Sequence, residues 1–520
     1  MNSNLFQGRP VAVIGAGVMG IGIVQIALLA GHPVRLFDTR EGAAATAASQ
    51  LKQTLAKLAD KGKLAHADVE AALGRLSVAA ALNELSDAAL VVEAIIENLA
   101  VKQQLLRDLE EIVADDCVLA SNTSSLSITA IARGLKAPGR VVGMHFFNPV
   151  PLMRLVEVVS GLSTEPAVAD AIHTLSQDWG KVAVHAKSTP GFIVNRIARP
   201  FYAETLTLLQ ERAATPATLD ACARGAGFRM GPCELMDLIG HDTNFSVTYS
   251  VYEANFFDKR FQPSLIQREL VDGGLLGRKS GRGFYHYNDG AAAAKPAEAA
   301  EPAGAAQALS IALHGSGPVA DLLASRLGAA GRTFERVEAA GGAGIGLRVG
   351  EGWLLLTDGR CAGERAAALG AADVAVFDWP VGPARAPAAA APTPLAYAVA
   401  QQSGAAFDAA AADVLRALGW QPQRLSDVPG LVVARTIAML VNEASDAVDQ
   451  GVCDPAGADA AMTLGVNYPE GPFAWLAQWG DAAIVSLLDA LADHYRGERY
   501  RVSPRLRRAA WQVAAPPAAR

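Results

Sequence analysis

His145 and Glu157 are the residues of this chain best suited to move a proton. They stand in two short apolar runs, VVGMHF and LVEV, joined by a Pro-containing loop within Val141–Val158. Two short strands side by side would bring imidazole and carboxylate together. A carboxylate that holds one ring nitrogen fixes the tautomer and leaves the other nitrogen as a base near neutral pH. A lone histidine is more often a satisfied core residue, but this one ends a predicted strand, the edge where open α/β sheets bind ligands. ASNTSS (Ala120–Ser125) ends another predicted strand at the same edge. Ser124 there is placed either to hydrogen-bond a substrate oxygen or to cap the following helix. Asn148 contacts a nicotinamide or shapes the loop before Pro149. Asn195 lies in an apolar helical run, GFIVNRIARP, where a polar side chain wants a partner.

Near the N-terminus, VAVIGAGVMGIGI places Gly15, Gly17 and Gly20 between a predicted strand and a helix. The first glycine allows a tight turn, the second lets backbone approach a pyrophosphate, and the third lets helix and strand pack closely. Val18 and Met19 fall between them and count with the cofactor-binding residues. The diphosphate would sit at the positive end of the helix dipole. Asp38 closes the next strand, VRLFD, about 20 residues on as this fingerprint requires. It should bind ribose hydroxyls and repel a 2′-phosphate, favouring NAD over NADP, although Arg40 is close by. A base plus a nicotinamide site predicts alcohol oxidation by hydride transfer.

The elements that must position these groups read as α/β. Residues 9–40 read strand, Gly-rich turn, helix, strand, and 42–82 read as a helical hairpin. ALVVEAI, CVLASN and VVGMHF are β-branched runs between helical segments, which predicts a parallel sheet with helices on both faces. After Thr189-Pro190-Gly191 the pattern turns helical. From Asp427 the chain repeats itself: STPGFIVNRIARPFYAETLTLL is echoed by DVPGLVVARTIAMLVNEASDAV, and RGAGFRMGPCEL by MTLGVNYPEGPFAWL. An internal duplication of the helical part follows. The repeat has Ala434 where the first copy has Asn195, so the fold itself does not demand Asn. Before the repeat, LHGSGPVADLL keeps Gly315 and Gly317 but has Pro318 and Ala320, with no acid at a convincing distance; it reads as a non-binding copy. The expected organisation is a Rossmann-type nucleotide-binding domain with the helical hairpin (1–188), an all-α domain (189–288), an Ala/Pro/Glu linker (289–308), a degenerate Rossmann-like half domain (309–426) and a second all-α domain (427–515).

Composition bounds the rest. The 520 residues are 51% hydrophobic with net charge −7, which offers no basic field for nucleic acid. The five cysteines are odd in number and lack C-x-x-C spacing, so neither a disulfide framework nor a metal site is expected, and a cytoplasmic setting is. No run is long enough to span a membrane.

GAGVMG, VVEAIIENLAVK, SNTSS, HFFNPVP, LVEV, TPGFIVNR and GRKSGRGFY occur in the order seen in (S)-3-hydroxyacyl-CoA dehydrogenases, and the chain resembles that family over residues 9–287. The linker and duplicated tail resemble its longer bacterial members, of the type that acts on 3-hydroxyadipyl-CoA in phenylacetate degradation. The resemblance implies NAD as cofactor and an acyl-CoA substrate. It makes His145 the base, Glu157 its partner, and Ser124 and Asn195 the holders of the reacting oxygens. It places Glu97, Lys102, Ser124, Asn148 and Lys279 at the cofactor, and Thr54, Lys61 and Ser124 at CoA. Arg229 stands where the family has proline, either as a solvated turn residue or as a clamp for a terminal carboxylate. A homodimer is the family habit; here the second helical domain would replace the partner. The alternatives are a short-chain 3-hydroxybutyryl-CoA dehydrogenase and, in another class, a non-catalytic NAD-binding sensor.

Overall fold

The computed structural model describes residues 6–288, 291–292, 309–337, 344–382 and 392–514; most of the expected linker lies outside them. Two compact units result: Met1–Arg196 with Ala447–Val466, and Ile197–Asp446 with Asn467–Arg520.

The first unit holds a sheet of β1 (Val11–Ile14), β2 (Val34–Phe37), β3 (Leu76–Val78), β4 (Leu90–Glu93), β5 (Val118–Ser121), β6 (Val141–Phe146), β7 (Leu155–Ser160) and β8 (Val182–Lys187), in the order β3-β2-β1-β4-β5-β6-β7-β8. Its helices are α1 (Val18–Leu29), α2 (Ala43–Asp60), α3 (His66–Leu73), α4 (Leu99–Glu110), α5 (Ile128–Ile131), α6 (Pro166–Asp178) and α7 (Val194–Ile197). β1, β4, β5 and β6 are buried throughout, as continuous apolar runs must be when both sheet faces are covered. Each fully buried Val, Leu or Ile adds ~1.5–3 kcal/mol.

The expected parallel sheet holds through β6, and then β7 reverses. Only residues 147–154 join the two strands, too few for the crossover of a dozen or more residues that a parallel pair needs. The reversal sets His145 opposite Glu157 in register. α2 and α3 form the expected hairpin. β3, read as helical from the sequence, is instead a three-residue edge strand whose side chains are largely exposed, so no apolar alternation marked it.

The second unit begins with α8 (Arg199–Gln210), α9 (Pro216–Gly225), α10 (Pro232–Ile239), α11 (His241–Ala254) and α12 (Leu265–Asp272), then a short hairpin of β9 (Tyr287–Asn288) and β10 (Ala291–Ala292). A second sheet follows, built of β11 (Ile311–His314), β12 (Glu335–Val337), β13 (Gly346–Val349), β14 (Gly352–Leu356), β15 (Val374–Phe377), β16 (Thr393–Val399) and β17 (Trp420–Arg424), in the order β12-β11-β13-β14-β15-β16-β17. Its helices are α13 (Pro318–Ala329), α14 (Ala362–Leu369) and α15 (Ala405–Ala417); α16 (Val433–Asp449), α17 (Pro455–Gly465), α18 (Pro472–Trp479), α19 (Asp481–Tyr495) and α20 (Pro504–Ala514) complete the chain. Of these, α17 and the end of α16 belong to the first unit.

The second sheet repeats the first with pieces removed. β13 and β14 are antiparallel and joined by a tight turn at Gly350-Glu351, where the first sheet has parallel β4 and β5 with α4 between them. Only residues 338–345 separate β12 from β13 in the sequence, whereas α2, α3 and β3 lie between β2 and β4. The helical copies match more closely. Gly191 and Phe192 have φ of 78° and 48°; Gly430 and Leu431 have 70° and 50°. α10 and α18 both open on Gly-Pro and close on a positive-φ glycine, Gly240 and Gly480. One difference is a break between α7 and α8, absent from α16. Pro200 has no N–H to give the helix, whereas Met439 stands in its place in the repeat.

Each copy also reaches the other's sheet. In the first unit α17 packs on β7 and β8, so tightly that a Cβ on Gly465 would come within 2.6 Å of Leu155. In the second unit α9 packs on β16, and a Cβ on Gly225 would lie 2.3 Å from the Pro394 carbonyl oxygen. The second unit further holds a reciprocal exchange of arginines. Arg499 of the repeat pairs with buried Glu204 at 2.9 Å, and Arg260 of the first copy pairs with buried Glu443 at 3.1 Å.

Candidate active site

The turn at Pro190-Gly191-Phe192 aims the first N–H groups of α7 at the sheet. Glu157, wholly buried on β7, accepts them: its Oε1 takes the N–H of Ile193 at 3.1 Å and of Val194 at 2.9 Å. Its Oε2 is 2.6 Å from His145 Nδ1. A carboxylate already taking two amide protons can only accept from the ring, so Nδ1 carries the proton and Nε2 presents a lone pair. Phe147 and Phe192 pack on the imidazole, with ring centroids 4.5 and 5.8 Å away. These contacts fix the ring's plane as the carboxylate fixes its tautomer.

Glu97 gathers the SNTSS loop. Its Oε1 accepts from Thr123 Oγ1 at 2.7 Å, from the Ser124 N–H at 2.9 Å and from the Ser125 N–H and hydroxyl at 3.1 and 3.0 Å; the Ser124 hydroxyl lies 3.3 Å away. Burial alone would raise the Glu97 carboxyl; those hydrogen bonds and the Lys102 charge outweigh it and hold it below the ordinary range. Lys102 itself is buried and donates to both oxygens of buried Glu93 at 2.8 Å, with Glu97 3.4 Å away. The Asn195 amide donates to the Ser124 carbonyl at 3.4 Å, and Asn122 Oδ1 accepts from the Phe146 N–H at 2.9 Å. Ser124 and Asn195 are thereby brought together, and the loop is tied to the strand that carries His145. The sequence reading missed Glu93, Thr123 and Asn122; only the return of α4 over β4 reveals that pairing.

At the nucleotide turn a Cβ on Gly20 would lie 1.8 Å from the Gly15 carbonyl oxygen, so helix and turn pack backbone to backbone. A Cβ on Gly17 would meet nothing within 4 Å. Asp38 Oδ2 accepts the Ala16 N–H at 2.7 Å. The hydrogen bond from Arg40 draws its carboxyl down to about 2, so it is anionic throughout the working range. Val18 at the first turn of α1 and Ile96 beyond β4 leave large apolar side chains 71% and 67% exposed.

Comparison with known proteins agrees with this arrangement. The family described as "3-hydroxyacyl-CoA dehydrogenase, NAD binding domain" matches residues 10–189, and its "C-terminal domain" matches residues 191–287 and again 430–512. Residues 354–429 match "3-hydroxybutyryl-CoA dehydrogenase reduced Rossmann-fold domain". A 3-hydroxyadipyl-CoA dehydrogenase of Escherichia coli is 41% identical over 96% of this chain and 97% of its own length. A probable 3-hydroxybutyryl-CoA dehydrogenase of Bacillus subtilis is 41% identical over 54% of this chain and 98% of its own. A crystal structure described as 3-hydroxybutyryl-CoA dehydrogenase from E. coli superposes with a TM-score of 0.87 at 39% identity, covering 98% of this chain and 99% of that one. The chain belongs to the 3-hydroxyacyl-CoA dehydrogenase family.

As a 3-hydroxyacyl-CoA dehydrogenase it is an oxidoreductase with NAD as its cofactor, and the nucleotide turn fits that group. Gly17 owes nothing to the protein's own packing, so its missing side chain leaves room at the start of α1. The exposed Val18 and Ile96 offer flat apolar contact for rings. The remaining expected positions fall as follows. Met19 is half-buried on α1, and Asn148 is exposed beyond β6. Thr54, with its hydroxyl on the Gln50 carbonyl, and Lys61 are exposed on and just past α2. In the second unit Lys279 is exposed and ion-paired with Asp242, and Arg229 is exposed on the turn after α9, with Pro469 at the matching place in the repeat. No helix of the described residues is long and apolar enough to cross a membrane.

The degenerate turn needs one correction. In the sequence Glu338 follows Gly315 at the same spacing, 23 residues, as Asp38 follows Gly15, so an acid does follow at the right distance. The other losses stand in the sequence: Pro318 removes an N–H from the first turn of α13, and Ala320 brings a Cβ where Gly20 has none.

Proposed function

We propose that this dehydrogenase oxidises the 3-hydroxyl of 3-hydroxyadipyl-CoA. His145 Nε2 takes the hydroxyl proton, and Glu157 stabilises the imidazolium that forms. The 2.6 Å contact of Nδ1 with a carboxylate anchored by two N–H groups carries the reading of the base. Bound NAD⁺ supplies the hydride acceptor. Ser124 and Asn195 polarise the substrate oxygen. Gly15, Gly17, Val18, Met19, Gly20, Asp38, Glu97, Asn148 and Lys279 serve the cofactor, Lys102 by holding Glu93 and Glu97. Thr54 and Lys61 serve the CoA end.

The full-length relative of 41% identity supports the dicarboxylic substrate. The half-length relative, and the description of the superposed crystal structure, favour 3-hydroxybutyryl-CoA as the second reading. Following NADH absorbance with 3-hydroxyadipyl-, 3-hydroxybutyryl- and longer CoA esters separates the two. A higher kcat/KM for the adipyl ester is expected; a preference for the butyryl ester overturns the first reading, and no NADH with any ester would revive the sensor alternative.

We also propose that the repeat stands in for a dimer partner. The glycine contacts and the exchanged arginines are the support, since two-fold interfaces repeat each contact reciprocally. A shortened chain ending at Asp289 should self-associate; if it stays monomeric and fully active, the idea fails. Five free cysteines, three of them buried, suit a reducing cytoplasm.

A further inference from the structure

The second unit contains a polar cavity of about 170 Å³ that none of the assignments above uses. Arg199, Ser264 and Arg499 line it with donors, Thr248 and Gln267 line it with theirs already given to Asn244, and Tyr202, Leu206 and Pro263 give it apolar wall. No carboxylate lines it. Arg499 is committed to Glu204. Arg199 is different. It is 5% exposed, donates one hydrogen bond of 3.0 Å to the Thr248 hydroxyl, and lies 4.9 Å from the Tyr202 ring centroid. Its Nε is buried without a partner. Burial lowers its pKa, and only the two tyrosines Tyr202 and Tyr468 act against that, no acid among them.

A guanidinium taken out of water without a counter-charge is costly, and buried charges are ordinarily paired. The repeat shows that the fold does not require it. Matched through the shared turns, Arg199 corresponds to Ala438, Tyr202 to Val441, Thr248 to Leu488 and Gln267 to Leu506. Ala438, Leu488 and Leu506 are all buried core. The same helical frame is therefore filled with apolar side chains in one copy and opened to a cationic cavity in the other.

We propose that this cavity binds a carboxylate carried on a short aliphatic chain, with Arg199 as its counter-charge and Leu206, Pro263 and Tyr202 against the methylenes. A planar fork of N–H donors suits a carboxylate, and the apolar wall sets it apart from a site for a bare inorganic ion. The acid is a separate small acid such as adipate.

The test uses the full-length enzyme and Arg199→Met, which keeps volume and removes charge. Adipate, hexanoate and chloride are titrated calorimetrically into each. The two acids should bind the wild type, and Arg199→Met should weaken that binding roughly 10- to 100-fold, as loss of a charged hydrogen bond predicts. No binding of either acid to the wild type, or unchanged binding in the variant, overturns the proposal, as does chloride binding as well as adipate, which would mark an adventitious ion only. Should Arg199→Met fail to fold, Thr248→Val, which removes the partner that orients Arg199, should weaken the same binding by less.

Discussion

At Phe192 and at Leu431 the backbone makes the same left-handed turn, and in both places a wholly buried carboxylate accepts the N–H groups that open the next helix. In the first copy that carboxylate is Glu157, which uses one oxygen on Ile193 and Val194 and keeps the other for His145. In the repeat it is Asp378. One oxygen takes Val432 and Val433, the other takes Ala434 and Trp379, and nothing is left over. Counting back from the Pro-Gly turn through the strand registers, Asp378 occupies the place of His145 and Ala396 that of Glu157. The helix start thus demands a carboxylate from either strand. The proposed base is an addition that requires the longer side chain on the far strand. The repeat also lacks the α4 crossover, and with it any counterpart of the Glu93, Glu97 and Lys102 network that holds the SNTSS loop.

The comparison can be broken most directly at the dyad. His145→Ala and Glu157→Gln should each lower kcat by ~10²–10⁴-fold, the range for a positioned base, with NADH affinity by fluorescence nearly unchanged; turnover within a few-fold of wild type in either variant would dismiss the assignment. Asn195→Ala, which imports the repeat's own residue, should slow kcat by roughly 10²–10³-fold, in line with loss of one polarising donor, without moving the melting temperature. Gly17→Ala should weaken NAD binding and spare stability, because its Cβ meets no protein atom. Gly317→Ala should do the reverse: with φ of +95° the alanine is strained by ~1 kcal/mol, and NAD affinity should stay put in a calorimetric titration.

The smallest effect on turnover is expected at Asp378. Burial outweighs its hydrogen bonds and pushes its carboxyl up to about 6. A raised carboxyl holds its proton in the folded chain after the unfolded chain has released it. Stability from this group therefore falls as pH rises from about 4 to 6 and is level above. Asp378→Asn should lower the urea midpoint, because an amide nitrogen cannot accept two of the four N–H groups, and should remove that slope across pH 4–7 while leaving kcat unaltered. A slope of the same size in both proteins would assign it elsewhere.

What the sequence displayed were local devices. Gly15, Gly17 and Gly20, the acid at Asp38, and His145 and Glu157 on apolar runs are each legible because one turn or one strand dictates the residue. The Pro-Gly and Gly-Pro echoes betrayed the duplication for the same reason. The reversal of β7 was legible only in the shortness of its connection. The Glu93–Lys102 pair was not legible, because an acid ending a strand and a lysine on a helix are ordinary until α4 folds back. Nor was the pairing of Glu204 with Arg499, 295 residues apart, since no local pattern marks such partners.

The arginine exchange takes place within one chain. Subunits that trade such contacts between separate chains come apart on dilution, with an occupancy set by how many chains are present. Here one covalent chain carries both donors and both acceptors, so the encounter is unimolecular and its effective concentration is set by chain length. The association holds at a single molecule per cell as well as at a thousand.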